Sequence, residues 1–322
     1  MSTIRNFIRW DHWGESKLPF GLWAIASGFG ASNSSDVSGV FITGGYTLFL
    51  LAFGFLYNDY CDVDYDVRAG KVRGVARLRV WTKPLPALTA FCCALGISFL
   101  GDRSDTMLMG AGLLCAVIYS GGALRLKEKG IAGVISAAVT QWSVPAIIAA
   151  NRFNSWKDLW PFIIIGCLAG CRWMLIHQRV DFQNDIKSGQ ITFGTQSGLS
   201  IVTTAISWIL RTEHLVIVLA VIYQLATGRI SLACSLILAY GISIGAEILS
   251  PGIWNYDFSR VSLAFFYLVL APLATYPFIP VIGLIMMVLH ILLVKKFLVG
   301  EIMRCWYSIQ DGEFRCRKTT RT

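Results

Sequence analysis

The chain has 322 residues, of which 55% are hydrophobic and only 15% charged, and a formal net charge of +9. Soluble domains carry about 25% charged residues, so this deficit, with a mean hydropathy of +0.59, excludes an ordinary soluble domain. The basic excess sits in particular loops. That points to membrane topology and an anionic substrate, and away from nucleic acid.

Apolar runs able to cross a hydrocarbon core about 30 Å thick lie at roughly 18–31, 38–57, 84–100, 105–122, 131–150, 157–176, 199–226, 230–249, 258–275 and 279–299. They are too long and too uniformly apolar for barrel strands of about 10 alternating residues. The expected fold is therefore all-α, a polytopic transmembrane bundle of nine or ten helices in a single membrane domain over residues 1–322. The run 199–226 contains Arg211, Thr212, Glu213 and His214 and is expected to divide into a surface helix and a shorter span. The N-terminal stretch MSTIRNFIRWDHWGESK has no short apolar run with a small-residue cleavage site, so the first hydrophobic segment is expected to direct insertion.

The loops alternate in character. Residues 58–83, 123–130 and 177–192 and the N-terminus carry Lys and Arg, whereas those near 32–37 and 101–105 are poor in them. The positive-inside rule places the first group in the cytoplasm. The basic tail from Lys295 to Arg321 then favours an even number of spans. Trp10, Trp13, Trp81, Trp156 and Trp160 flank spans, as interfacial anchors do. The cysteines are scattered in apolar runs without a CxxC pair and read as small buried hydrophobes.

Two acidic motifs end even-numbered spans on the same side. The first is Asn58-Asp59-Tyr60-Cys61-Asp62-Val63-Asp64-Tyr65-Asp66. If the helix continues past Tyr57, Asn58, Asp62 and Asp66 share one face. Like charges at that spacing repel, so a cation is needed between them, and carboxylate oxygens are hard ligands suited to Mg²⁺ that recruits substrate phosphate. The second motif, Asp181-Phe182-Gln183-Asn184-Asp185, repeats the i, i+4 carboxylates. Facing clusters of this kind could hold Mg²⁺ ions bridged by a diphosphate, with Lewis-acid stabilisation of its departure. Metal ligands are expected at Asn58, Asp59, Asp62, Asp66, Asp181 and Asp185, with Asp62, Asp66, Asp181 and Asp185 carrying the catalysis. Basic and phenolic groups for the diphosphate are available in Tyr119, Arg125 and Lys127 after the fourth span, in Arg68 and Arg73 after the first motif, and in Lys187 after the second. His177, one turn before Asp181, is expected to support the site indirectly or to sit at the interface.

The sequence resembles the UbiA superfamily of intramembrane prenyltransferases. Asn58, Asp59, Asp62 and Asp66 match its NDxxDxxxD signature, and Asp181 and Asp185 its DxxxD signature. YSGGALRLKEKG at 119–130 partly matches the YSxxPxxLKxxG segment of chlorophyll-synthase-like members, and Lys17-Leu18-Pro19-Phe20-Gly21 is similar to the KPxG entry to the first helix. GVARLRVWTKP stands where the family carries Arg-Pro-Leu, and Gly122 and Ala123 replace the prolines of the third segment. The resemblance implies a bundle of nine spans around a central cavity. It also implies Mg²⁺-dependent transfer of a prenyl group from its diphosphate to a lipophilic or aromatic acceptor in the membrane. A terpene cyclase on the same scaffold would quench the cation internally. A cation-coupled transporter would instead carry its acidic residues near the midplane between broken helices.

Other readings of these residues are weaker. An EF-hand loop needs Gly and Glu where Val67 and Arg73 stand. The basic loop residues also serve as topological anchors or contacts to anionic membrane lipid.

Overall fold

The computed structural model describes residues 2–237, apart from residues 15, 16, 33, 34, 72, 231 and 235. The expected spans at 258–275 and 279–299, most of 230–249, and the basic tail used to count spans lie outside the described residues. The helices and the site described below all lie within the compact unit Met1–Gly228.

The chain runs through α1 (Ser2–Phe7), α2 (Trp10–Trp13), α3 (Lys17–Ala31), α4 (Val37–Cys61), α5 (Val63–Arg68), α6 (Leu85–Ser98), α7 (Arg103–Ser120), α8 (Ile131–Ala138), α9 (Val144–Arg152), α10 (Trp156–Ser188), α11 (Phe193–Ser197) and α12 (Leu199–Ala226). Among the described residues there is no strand, as the apolar runs predict. Five segments among the described residues are long and apolar enough to cross a membrane: Val37–Cys61, Val80–Ser98, Ile131–Arg152, Trp156–Ser188 and Leu199–Ala226. The fold is a polytopic helical membrane bundle.

Local chemistry sets the helix ends. The Asp36 carboxylate accepts from the Gly39 N–H at 2.9 Å and starts α4. Asp102 does the same for Asp105 at 2.8 Å and starts α7. Each fills one orphan donor of a first turn and places a negative charge at the positive end of the helix. α10 stops at Gly189, whose φ of 71° suits a residue without a Cβ.

Packing follows the small residues. α10 lies against α3, α8, α9 and α12, while α4 lies against α3, α6 and α7. A Cβ on Gly170 would come within 2.8 Å of the Ala138 Cα, and one on Gly166 within 2.9 Å of the Phe20 ring. Glycine at these positions lets the backbones approach, as close packing in lipid requires. The buried Tyr46 of α4 donates its hydroxyl to the Met109 carbonyl of α7 at 2.5 Å. Phe20 meets Trp23 and Trp142 edge-on, and Trp23 meets Phe162 edge-on with centroids 4.4 Å apart.

Two expectations are corrected. First, α12 is continuous through Arg211–His214. Glu213 is buried, and both its oxygens accept from Arg172 of α10, at 2.7 and 3.0 Å. This bidentate pairing offsets the cost of a charge inside the bundle. Second, Trp13 is not an interfacial anchor. It is 1% exposed, packs with Leu18 and Leu51, and donates its indole N–H to the Ile8 carbonyl at 2.8 Å.

Candidate active site

The first motif forms where α4 hands over to α5. Asp62 ends one helix and begins the next. The i→i−4 ladder nevertheless continues through it, from the Asp62 N–H to the Asn58 carbonyl at 3.0 Å and from the Asp66 N–H to the Asp62 carbonyl at 2.8 Å. Asn58, Asp62 and Asp66 therefore follow one another at successive turns, as their spacing predicts.

Asp59, Asp62 and Asp66 of this motif each face cations, whereas Asp64 is exposed. The Asp62 Oδ1 accepts from Arg125 Nη2 at 2.7 Å and from Lys127 Nζ. The Asn58 Oδ1 accepts from Lys127 at 3.1 Å and from the Ser120 hydroxyl at 3.2 Å. Lys127 is 6% exposed. Burial pushes its ammonium below the ordinary lysine value, while Asp62 pulls it the other way. Asp66 pairs with Arg73 Nε at 3.2 Å. Asp59, on a different face, is 1% exposed and pairs with Arg9 Nη1 at 2.9 Å.

The loop bearing Arg125 and Lys127 holds its shape by unusual backbone. Arg125 lies in the left-handed region, with φ 36°, and Gly122 has φ 69°. A side chain at such a φ is uncommon and costs strain. The guanidiniums of Arg68 and Arg125 lie over the Tyr65 ring, 4.6 and 5.0 Å from its centroid. Tyr65 thus helps to orient Arg125.

The second motif comes to the same place. α5 packs on α10, and Lys71, just beyond α5, pairs with Asp181 Oδ2 at 3.1 Å. His177 Nε2 lies 3.5 Å from the same oxygen. Asp185 is buried. Its carboxyl is hydrogen-bonded to the Thr192 side chain. Among the described residues Asp185 has no ion-pair partner, and no three His, Cys, Asp or Glu side chains converge at metal-binding spacing.

Arg68 and Lys187 are not brought into the cluster. Both are exposed, and Arg68 turns back to the Asp64 carbonyl at 3.3 Å. Other cations take their place. Arg9 reaches Asp59 and lies 5.2 Å from the centroid of the Phe55 ring. Lys17 donates to the His12 carbonyl at 2.7 Å and lies 4.7 Å from the same ring. The His12 ring is 6.5 Å from that of His177. In the sequence, Arg9, Lys17 and Lys71 look like topological charges. Only the fold of α1–α2 back onto α4 and α10 gives them a role.

A small apolar cavity begins one turn below Asn58, lined by Leu50, Leu51, Gly54, Phe55, Ala116, Tyr119, Ala137, Thr140 and Gln141. Tyr119 joins the two regions, because it lines the cavity and its hydroxyl feels both Asp62 and Arg9. Thr140 and Gln141 belong to a π turn, Val139–Ser143, between α8 and α9. Such turns are rare and recur at functional sites.

This architecture has counterparts among solved structures. A UbiA homologue from Archaeoglobus fulgidus bound to GPP and Mg²⁺ superposes with a TM-score of 0.59 at 17% identity, covering 85% of this chain and 99% of the other. The same homologue bound to DMAPP and Mg²⁺ gives 0.58 at 16%, with the same coverage. The fold is that of a UbiA homologue. A structure of digeranylgeranylglyceryl phosphate synthase gives 0.51 at 16%, covering 82% and 96%. No family model and no curated protein matches the chain.

Proposed function

We propose that the chain transfers a prenyl group from a prenyl diphosphate to a lipophilic or aromatic acceptor within the membrane, with Mg²⁺ as cofactor. The observation that carries this reading is the meeting of two carboxylate motifs at the mouth of an apolar cavity. The fold it shares with proteins solved with GPP, DMAPP and Mg²⁺ supports it.

The residues fit the metal. Their donors are oxygens only, as Mg²⁺ prefers. The Lys127 ammonium, held between Asn58 and Asp62, stands where these helix ends already bind a cation. Asp185 is buried and makes no ion pair among the described residues. Asn58, Asp62, Asp66, Asp181 and Asp185 would hold Mg²⁺, and Asp59 stands beside them on Arg9. Bound there, the metal supplies Lewis-acid stabilisation of the leaving diphosphate.

The chain's own groups do the rest. Lys71, Arg73, Arg125 and Lys127 now sit on carboxylates. As substrate arrives with its metal, they turn from those carboxylates to the phosphate oxygens, so charge is balanced before and after binding. Tyr119, at the boundary, adds a phenolic hydroxyl. The isoprenoid tail lies along Leu50, Leu51, Gly54 and Phe55, with water excluded. The allylic C–O bond breaks, and its electron pair leaves with the diphosphate. A nucleophilic carbon or oxygen of the acceptor forms the new bond to the allylic carbon and loses a proton. The positive-inside rule puts this end of the bundle at the cytoplasmic face, where soluble prenyl diphosphates are available.

The test incubates purified protein with Mg²⁺, a panel of prenyl diphosphates, and lipid and quinone-precursor extracts, with products read by mass spectrometry. Mg²⁺-dependent diphosphate release with a prenylated product is expected. A cyclic hydrocarbon or alcohol formed without acceptor would replace this reading by a cyclase. Absence of any diphosphate release would overturn it.

A further inference from the structure

Asp185 is buried, and no cation among the described residues fixes its carboxylate. The chain just beyond it takes that part. α10 ends at Gly189 in the left-handed region, and the following segment folds back on the residue it has left. The Gln190 N–H and the Ser188 hydroxyl both donate to the Asp185 carbonyl, at 2.9 and 3.1 Å. The Gly194 N–H donates to the Gln178 carboxamide of α10 at 2.9 Å. Thr192 lies between these two ties and is 7% exposed.

The hydroxyl protons of this turn can be accounted for. Thr192 and Thr195 form a capping box at the start of α11. The Thr195 Oγ1 accepts from the Thr192 N–H at 2.9 Å, and its own proton goes to the Gln190 or Thr192 carbonyl, at 3.2 and 3.1 Å. The Thr192 Oγ1 accepts from the Thr195 N–H at 3.2 Å, which leaves its one proton to donate. The Thr195 oxygen is neutral and 3.4 Å away. The Asp185 carboxylate is charged and is hydrogen-bonded to the Thr192 side chain. Hydrogen bonds to a charged acceptor are the stronger kind. The lone pair of Thr192 therefore closes the cap of α11 while its proton holds Asp185.

We propose that Thr192 is a positioning residue that holds the Asp185 carboxylate in the orientation that ligates Mg²⁺. This assignment rests on the metal-dependent prenyl-transfer reading. Carboxylates that ligate a metal are themselves hydrogen-bonded, and loss of such an outer partner lowers metal affinity or activity by about 10–100-fold. In the sequence Thr192 lies beyond the second motif and reads as an ordinary helix cap. Only the fold-back of the turn brings it to Asp185.

The test titrates Mn²⁺ into detergent-purified protein without diphosphate and reads bound against free ion by electron paramagnetic resonance. Mg²⁺-dependent diphosphate release is measured in parallel. Thr192→Val should weaken Mn²⁺ binding about tenfold, and Thr192→Ser, which keeps the hydroxyl, should bind like the parent. Thr195→Val breaks the other half of the capping box. It should lower the melting temperature as Thr192→Val does and leave Mn²⁺ affinity unchanged. Glycine is tolerated at an N-cap, so Thr192→Gly carries the same expectation where Thr192→Val does not fold. Parent-like Mn²⁺ affinity without the Thr192 hydroxyl, an equal loss in Thr195→Val, or no Mn²⁺ binding by the parent would overturn the assignment. A chain that shows the expected pattern yet releases no diphosphate keeps Thr192 and loses the transferase reading. A chain that releases diphosphate while Thr192→Val binds Mn²⁺ like the parent keeps that reading and loses Thr192.

Discussion

The two ends of the bundle use charge in opposite ways. At one end, Arg152 donates from Nη2 and Nε to Asp36, at 2.6 and 2.8 Å, and from Nη1 to Asp105 at 3.0 Å. Asn151 adds a bond to Asp105 at 2.8 Å, and Asp36 also caps α4. One cation saturates two carboxylates, and the result is a fixed clasp between the start of α4, the start of α7 and the end of α9. At the other end, Asp59, Asp62, Asp66 and Asp181 each meet cations from other segments, and Asp185 meets none among the described residues. There the cations come from several segments, with Arg125 and Lys127 both on Asp62. Buried charge that is fully shared stabilises the fold, whereas charge paired piecemeal, with some left over, is ready to accept a ligand.

Substitutions at the two ends test this contrast. Asp62→Ala or Asp185→Ala should cut Mg²⁺-dependent diphosphate release by about a thousandfold; melting in detergent should change little for Asp185→Ala, while Asp62→Ala also strands the buried Lys127 ammonium and lowers it. Full activity in either variant would refute the metal assignment. Arg172→Met should lower stability by about 3 kcal/mol, because it strands Glu213 in the bundle, and the Arg172→Met/Glu213→Leu double variant should recover most of that loss. A single variant that melts like the parent would mean the pair is not desolvated. Arg152→Ala should cost about 1–3 kcal/mol and leave low-temperature turnover intact; a selective loss of turnover would erase the distinction between the two ends. The smallest effect concerns pH. The Ser38 hydroxyl, the Gly39 N–H and Arg152 hold the Asp36 carboxyl below its usual range against the opposing effect of burial. Its contribution to stability is therefore complete above the ordinary aspartate pKa and is lost as pH falls through the lower folded value. Melting curves of Asp36→Asn should be flatter in that acid range than those of the parent.

Much of the site is legible in the sequence, because helical spacing is rigid. Four-residue intervals in 58–66 and 181–185 place carboxylates on successive turns whatever surrounds them, and the apolar runs up to 226 coincide with helices. The misreadings arise where charge is rescued by a distant partner. Arg211–His214 looks like an interruption, and Glu213 becomes tolerable only because Arg172 lies on a helix 41 positions away. Trp13 looks interfacial until α1 and α2 fold inward. Arg68 and Lys187 look as suitable for phosphate as Lys71 and Arg9, since proximity in sequence does not tell which way a helix end points.

The sequence by itself determined the class of molecule, the helix positions and the two aspartate ladders, all of which follow from hydropathy and local periodicity. Only the packing of the helices decided that Lys71 beside the first ladder pairs with Asp181 of the second, that Arg9 and Lys17 join the site, and that the π turn carries Thr140 and Gln141 at the cavity. Those are facts of side-chain reach between segments far apart in the chain, set by how the helices pack.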